Sequence, residues 1–453
     1  MMLHTACSLL LLCNPPPAVP DSLVAFVDVT VIPMDRERVV PRQTVLVRGD
    51  RIEAIGPTEQ VRIPAGGRRV NGRGKFLIPG LAEMHAHIPG GQAPDSVVER
   101  TLFLYVAGGI TTVRGMLGHP RHLELRDRAA RNELISPTIS TSGPSFNGNS
   151  VTNPESAARM VTEQKAAGYD FLKIHPGVKR EVFDTLAAAA QRVGIRFAGH
   201  VPLEVGLARA LDARYATIDH LDGYVEAMVR TGAPVTSLQS KFFGVNLGEH
   251  LDKSRLPVLV EATRSAGVWN VPTQALIENL LSTESVEALA RRPEMRYVSA
   301  ENLSQWAEAK NSLLEESGSS RESADRMIEA RRQLIKALHA GGAGLLLGSD
   351  APQVYNVPGF STHRELELLV ASGLTPYQAL ETGTRNVAVF LGTLARTGSI
   401  EVGKRADLIL LDANPLADIR NTGRREGVML RGRWLPKAEI DSRLAVIAKS
   451  VGN

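Results

Sequence analysis

The sequence predicts an α/β fold: a (β/α)8 TIM barrel with a small β-sandwich built from both chain termini. Three observations predict it. The centre of the chain alternates short apolar β-type runs with helical stretches, the signature of repeated βα units. Those runs number eight, the strand count of such a barrel. Both flanks consist instead of short strands broken by glycine, which suits a separate β layer. With 453 residues the chain has room for a barrel of roughly 250 residues and a smaller second unit.

Residues 1–20 read as a leader. The apolar run Ala6–Cys13, followed by Pro15–Pro17, is too short to span a bilayer, which takes about 20 apolar residues. It fits the apolar core of an export signal cleaved near Ala18, although no Lys or Arg precedes it. A misplaced start codon would leave the same trace. The expected location is periplasmic or secreted if this segment is an export signal, and cytoplasmic otherwise. The two cysteines, Cys7 and Cys13, lie in it, so the body has no disulfide framework and no thiolate metal site.

Residues 21–79 open the β-sandwich. Val24–Pro33 reads as one strand, and Thr44–Arg48, Gly49-Asp50 and Arg51–Gly56 read as a hairpin. Residues 396–445 have the same texture in Gly403–Asp412, Gly427–Arg431 and Gly432–Leu435. Between these flanks, residues 80–395 hold the barrel. Its strands are expected at Gly80–Ile88, Thr111–Met116, Thr138–Gly143, Phe171–His175, Arg196–Val201, Thr217–Leu221, Val268–Thr273 and Leu345–Asp350. Helices such as the alanine-rich Glu181–Val193 separate them. A helical insertion at 222–340 includes the charged stretches Glu284–Ala309 and Arg321–His339, which would form either a lid or extra packed helices.

Composition narrows the function. Apolar content of 43% and charged content of 22% describe a globular chain. The net charge of +4 comes from dispersed Lys and Arg without a basic run flanked by aromatics, which argues against a nucleic-acid partner. A small-molecule substrate is expected, with no membrane span, and a homo-oligomer is left open.

The placement of polar residues is more informative. Leu77-Ile-Pro-Gly-Leu-Ala-Glu-Met-His85-Ala-His87 ends a β-type run in two histidines one residue apart. On a strand they share a face and can reach one metal ion. Of the 11 histidines, five (His85, His87, His175, His200 and His220) sit at expected strand ends. Lys173 and Asp350 end the fourth and eighth runs. Imidazoles and a carboxylate are ordinary ligands for divalent first-row metals. Lys173 is the odd member, because an ammonium is no ligand and is costly to bury. It is neutralised, paired or modified to a carboxylate, or else it snorkels to the barrel rim.

At these residues the chain resembles the amidohydrolase superfamily. The matching phrases are Pro79-Gly-Leu-Ala-Glu-Met-His85-Ala-His87, Phe171-Leu-Lys173-Ile-His175, Ala198-Gly-His200-Val-Pro, Ile218-Asp-His220-Leu-Asp-Gly-Tyr224 and Gly348-Ser-Asp350-Ala-Pro. The likeness runs from about Val27 to Asp418 and includes the closing phrase Gly398–Asp412. Within the superfamily it is most similar to the imidazolonepropionase-related branch that includes Xaa-Pro dipeptidases. The resemblance implies two divalent metal ions, with zinc expected. His85, His87 and Asp350 would hold the more buried ion, His200 and His220 the second, and a Lys173 carboxylated on its side-chain nitrogen would bridge them. Asp219 departs from the branch, which more often has Glu there, and reads as a residue behind the ligands.

The implied activity is hydrolysis of the amide C–N bond of a dipeptide or N-acyl amino acid. A hydroxide bridging the metals would be the nucleophile and Asp350 the general base. Tyr224 is a candidate helper at the oxyanion, against packing in a loop. Arg114 and His119 could hold a substrate carboxylate, against a rim salt bridge. His175 and His363 are candidate substrate contacts, against an ordinary helix-start position for His363. The alternative is a mononuclear hydrolase or deaminase of cyclic amides or amidines, which would not need Lys173. A scaffold that has lost its metals is a third reading, but such a chain loses ligands, and here all six positions are filled.

Overall fold

Residues 22–452 are described by the structure, a computed structural model; the leader expected at 1–20, with both cysteines, lies outside the described residues. The N-terminal flank forms β1 (Leu23–Val31), β2 (Val40–Arg48), β3 (Arg51–Pro57), β4 (Arg68–Asn71) and β5 (Phe76–Pro79). The expected hairpin is present, with Arg48 opposite Arg51 and Gly49 turning at φ 57°.

The centre supplies β6 (Leu81–Ala86), β7 (Ile110–Gly115), β8 (Thr138–Thr141), β9 (Leu172–Ile174), β10 (Phe197–Gly199), β11 (Thr217–Asp219) and β12 (Trp269–Val271). All their pairings are parallel, in a three-stranded sheet β6-β7-β8 and a four-stranded sheet β12-β11-β10-β9. Every residue of β6, β9, β10 and β11 is buried, as parallel strands covered on both faces require. Helices provide the cover. Arg180–Val193 buries Val182, Phe183, Leu186, Ala189 and Ala190, a helical stripe, and stops at Gly194 in the left-handed region.

The eighth expected run does not form a ladder. Leu346 N–H donates to Asn270 O and Met84 N–H to Leu347 O, so the segment lies between β12 and β6. Asp350 at φ 66° then turns it out of strand geometry. At the other seam an isolated bridge joins Ser142 to Phe171. Among the described residues, therefore, no continuous ladder closes the two sheets into one barrel, and isolated bridges span the seams.

The span 222–340 contains β12, so its helices fall in two stretches. The expected helix Glu284–Ala309 is broken into Val286–Ala290, a 3-10 turn at Pro293–Tyr297 and a helix Ala300–Ser317. Pro293 lacks the N–H to continue the first helix, and Ser299 caps the last. The helix Arg321–Ala340 buries Met327, Leu334, Ile335 and Leu338 in the central core, so it is a packed helix and no lid. No helix among the described residues is long and apolar enough to cross a membrane.

The C-terminal flank adds β13 (Leu408–Leu411), β14 (Arg425–Leu430) and β15 (Arg433–Pro436). Both termini build one eight-stranded sheet, ordered β15-β14-β13-β5-β1-β2-β3 with β4 on β1, where two layers were expected. The sheet nevertheless curls. Phe26 of β1 meets Trp434 of β15 edge-on at 5.0 Å and 85°, across three intervening strands, over a cluster with Val45, Leu77 and Leu410. On β13, Leu408 and Leu410 enter this cluster while Ile409 and Leu411 enter the central core. The period of two thus welds the terminal sheet to the centre.

Phe26 is fully buried and links strands from opposite ends of the chain. Phe26→Ala should cost about 3–5 kcal/mol, read as a lowered midpoint in denaturant unfolding with the metal content per folded chain unchanged.

Candidate metal centre

Parallel strands present their carboxyl ends on one side, and the polar residues converge there. His85 and His87 leave β6 and meet Asp350 from the eighth segment. One ligand atom from each lies within 4.8 Å of the others. His87 Nε2 is 2.7 Å and His85 Nε2 3.6 Å from Asp350 Oδ1. His220, just past β11, packs its ring 4.4 Å from that of His85 and 4.4 Å from that of His200, which follows β10. His175, past β9, stacks on His200 at 5.0 Å. The strand ends thus bring together His85, His87, Lys173, His175, His200, His220 and Asp350.

Three of the imidazoles have a polar neighbour at Nδ1, and for His200 and His220 it is a hydrogen bond. Asp219 Oδ2 lies 3.0 Å from His85 Nδ1, Asp222 Oδ2 lies 2.7 Å from His200 Nδ1, and Thr273 Oγ1 lies 2.8 Å from His220 Nδ1. Nε2 of His85 and of His87 faces Asp350, whereas His220 approaches it with Nδ1, 3.7 Å from Asp350 Oδ2; polar neighbours of this kind orient metal-binding histidines. His220 Nε2 is buried with no hydrogen-bond partner. Burial lowers the pKa of His85, His200 and His220, that of His200 to about 3, so these rings are neutral and their lone pairs are free to coordinate.

Asp350 is pushed up by burial, but its interactions with His85, His87 and Lys173, including the hydrogen bond from His87, outweigh this and hold its carboxyl below the usual carboxylate range. Lys173 is fully buried, and its Nζ has one polar neighbour, His85 Nε2 at 3.5 Å. Burial lowers its pKa. Space for this side chain depends on Gly199, at φ 120°, where a Cβ would sit 2.7 Å from Lys173 Cδ. An orphaned imidazole nitrogen, a buried amine without a contacting carboxylate and a clustered His-His-Asp set all fit a bound divalent cation.

The other four candidates have partners of their own. Arg114 is buried at the core of β7, with Nε donating to Met84 O and Nη2 to Asp219 Oδ1 at 3.2 Å, so it anchors the carboxylate behind His85 instead of reaching substrate. His119 accepts from Arg121 N–H at the start of the helix Arg121–Ala130. His363 spends both ring nitrogens on Thr422 Oγ1 and Gly108 O. The Tyr224 hydroxyl bonds Thr263 Oγ1 at 2.7 Å, on the helix Leu256–Ala266.

Other residues reach the centre; of these only Phe243, in the stretch Lys241–Asn246, reads from the sequence as pocket lining, against a surface turn. Asp222 and Thr273 orient two of the histidines. Gln353 donates to Asp350 Oδ1 at 2.6 Å. Arg331, fully buried, donates to the carbonyls of His220 and Pro272 and to Gln274 Oε1. Phe243 lies 5.2 Å from the His220 ring. Asp222 stands two residues past His220, a local signal that was readable; the others come from loops or a distant helix.

The family model for the amidohydrolase family matches residues 76–435. Imidazolonepropionase of Pseudomonas aeruginosa strain UCBPP-PA14 is 25% identical over 397 residues, covering 84% of this chain and 90% of that one. Among solved structures, a prolidase candidate of Bifidobacterium longum superposes with a TM-score of 0.69 at 24% identity, covering 95% of this chain and all 100% of the other. A Xaa-Pro dipeptidase with methionine bound in its active site gives 0.67 at 19% identity, covering 92% and 100%. At these identities the structures show the fold.

The Arg114–Asp219 pair separates a structural from a substrate-binding role. Arg114→Met should lower stability by about 3–5 kcal/mol, because it leaves Asp219 buried and unpaired. A substrate-clamping arginine would raise KM at unchanged stability. Denaturant unfolding and steady-state kinetics on one preparation check this.

Proposed function

The chain belongs to the amidohydrolase family and is a metal-dependent hydrolase of carbon–nitrogen bonds, and from that premise we propose a binuclear enzyme that cleaves the amide bond of dipeptides or N-acyl amino acids. One observation carries the binuclear reading: Lys173 is wholly buried between the His85–His87–Asp350 group and the His200–His220 pair, without a contacting carboxylate. Burial favours its neutral amine. The lone pair of such an amine can attack carbon dioxide, forming an N–C bond and releasing a proton. The resulting carboxylate offers two oxygens, one to each group of ligands.

His85, His87 and Asp350 would hold one ion and His200 and His220 the other, with zinc suited to this nitrogen and oxygen set. Divalent ions held there would bring the pKa of a water towards 7 and polarise the scissile carbonyl. Asp350, ionised and oriented by Gln353, takes the proton of the attacking water and passes it to the leaving amine. Thr273, Asp222 and Asp219 keep the imidazoles aimed. Tyr224 is left out of the oxyanion site because its hydroxyl is committed to Thr263. His175, stacked on His200, is placed to border the substrate.

The same reading treats residues 80–395 as a (β/α)8 barrel flanked by the terminal sheet. The hydrogen bonds from the eighth segment to both β12 and β6, with the Ser142–Phe171 bridge, support it. The prolidase and dipeptidase likenesses support the peptide-type substrate.

A second reading has its own observation. Among the described residues, only His85, His87 and Asp350 form a group with ligand atoms within 4.8 Å of one another, and the imidazolonepropionase likeness covers 84% of the chain. Both favour a mononuclear hydrolase of cyclic amides. Elemental analysis of protein purified without chelator decides between them. We expect close to two ions per chain, falling to one or none in Lys173→Ala. One ion in wild type, unchanged by that substitution, would move cyclic amides to the front. Asp350→Asn should lower kcat by about 10²–10⁴-fold on any hydrolysed substrate, measured at saturating substrate and full metal loading.

A further inference from the structure

Beside the His200–His220 pair lies a side chain for which the hydrolytic chemistry has no use. The Phe243 ring sits 5.2 Å from His220 and 6.2 Å from His200, nearly parallel to the latter at 19°. Its backbone is in the left-handed region, at φ 48° and ψ 25°, where a bulky residue is strained. Gly244 follows at φ 80°, and a Cβ there would sit 2.6 Å from Val225 Cγ1.

Such a conformation persists only when the surroundings impose it. Lys241 N–H donates to Asn246 Oδ1, Gly244 N–H to Lys241 O, and Ser323 Oγ–H to Val245 O. This is a pinned turn that drives one aromatic ring towards the metal-binding imidazoles. Residues 242–248 carry no charge. Phe242 on this turn is 42% exposed, as are Leu117 after β7 at 45% and Leu203 after β10 at 43%. Exposed apolar side chains thus follow β7 and β10 and stand on this turn.

Resting on the amide-hydrolase reading, we propose that Phe243 is a specificity-determining residue: its ring walls the His200–His220 side of the site and selects substrates with an aromatic or large aliphatic side chain next to the scissile amide. A charged side chain there would lose hydration without gaining a partner. A small one would leave the ring exposed. An aromatic one can pack offset or edge-on against it.

The test uses the full, metal-loaded chain with N-acetyl-L-phenylalanine, N-acetyl-L-alanine and N-acetyl-L-glutamate. Calorimetric binding and kcat/KM are measured for wild type, Phe243→Ala and Phe243→Leu, with metal content on each preparation. Wild type should bind the phenylalanine compound about tenfold or more tightly than the other two. Phe243→Ala should reduce that preference to about twofold at unchanged metal content, while Phe243→Leu keeps part of it. No preference in wild type, a preference intact in Phe243→Ala, or an equal loss for all three compounds would overturn the proposal. A binding preference that Phe243→Ala abolishes, without turnover of any compound, would uphold the wall and bring down the hydrolytic reading instead.

Discussion

Desolvation governs the centre of this molecule. His85, His220, Lys173, Asp219 and Asp350 are all nearly or wholly removed from water, and an unpaired charge in that position would cost several kcal/mol. Much of the surrounding structure answers that cost. Arg114 neutralises Asp219, which in turn holds His85. Glu83 accepts from Ser349 N and Oγ, from Thr362 Oγ1 and from His85 N, so one buried carboxylate ties β6 to the eighth segment and to the helix Ser361–Ala371. Among the described residues Lys173 is left without a contacting carboxylate and His220 Nε2 without a partner, and a bound cation would complete that imidazole.

The backbone is strained at the same place. His220, Leu221, Thr273 and Asp350 have φ of 62°, 57°, 48° and 66°. Each costs of order 1–3 kcal/mol in a residue with a side chain, and each turns a side chain at the end of a strand. Arg331 holds the carbonyls of His220 and Pro272, and Glu365 accepts from Gln274 and Ala275 N–H. The helix Arg321–Ala340, expected as a lid or as packing, therefore acts at the centre through one guanidinium. It fixes the geometry from behind.

The terminal sheet contributes at a distance. β13 shares its alternate faces between two cores, and β5 leads across Gly80 directly into β6. The strand that carries His85 and His87 thus begins in one apolar cluster and ends in the ligand set. The register of β5 is set by Ile409 opposite Ile78, and that of β6 by Glu83 opposite Val113 of β7. A slip of one residue would exchange the faces of the whole strand and remove both histidines from the centre.

What the sequence determined by itself is whatever depends on local period. His85 and His87 share a face because strand side chains alternate, and Lys173, His200, His220 and Asp350 were legible because each closes an apolar run. Seven strands, the β hairpin at Gly49 and the helix Arg180–Val193 were readable for the same reason. For Arg114, also near the end of a run, the sequence left substrate clamp and salt bridge open: period says which residues share a face, but not which face the core claims. Tyr224 and His363 were left open likewise, because the direction of a side chain at a helix start depends on what the helix packs against. Asp219 was already read as standing behind the ligands; only the tertiary structure decided that His85 is the one it backs, that Thr273 and Asp222 aim two imidazoles, and that Arg331 and Phe243 reach the centre from a distant helix and a loop. Those contacts join residues far apart in the chain, and no local pattern encodes them; they form when burying apolar faces brings the elements together.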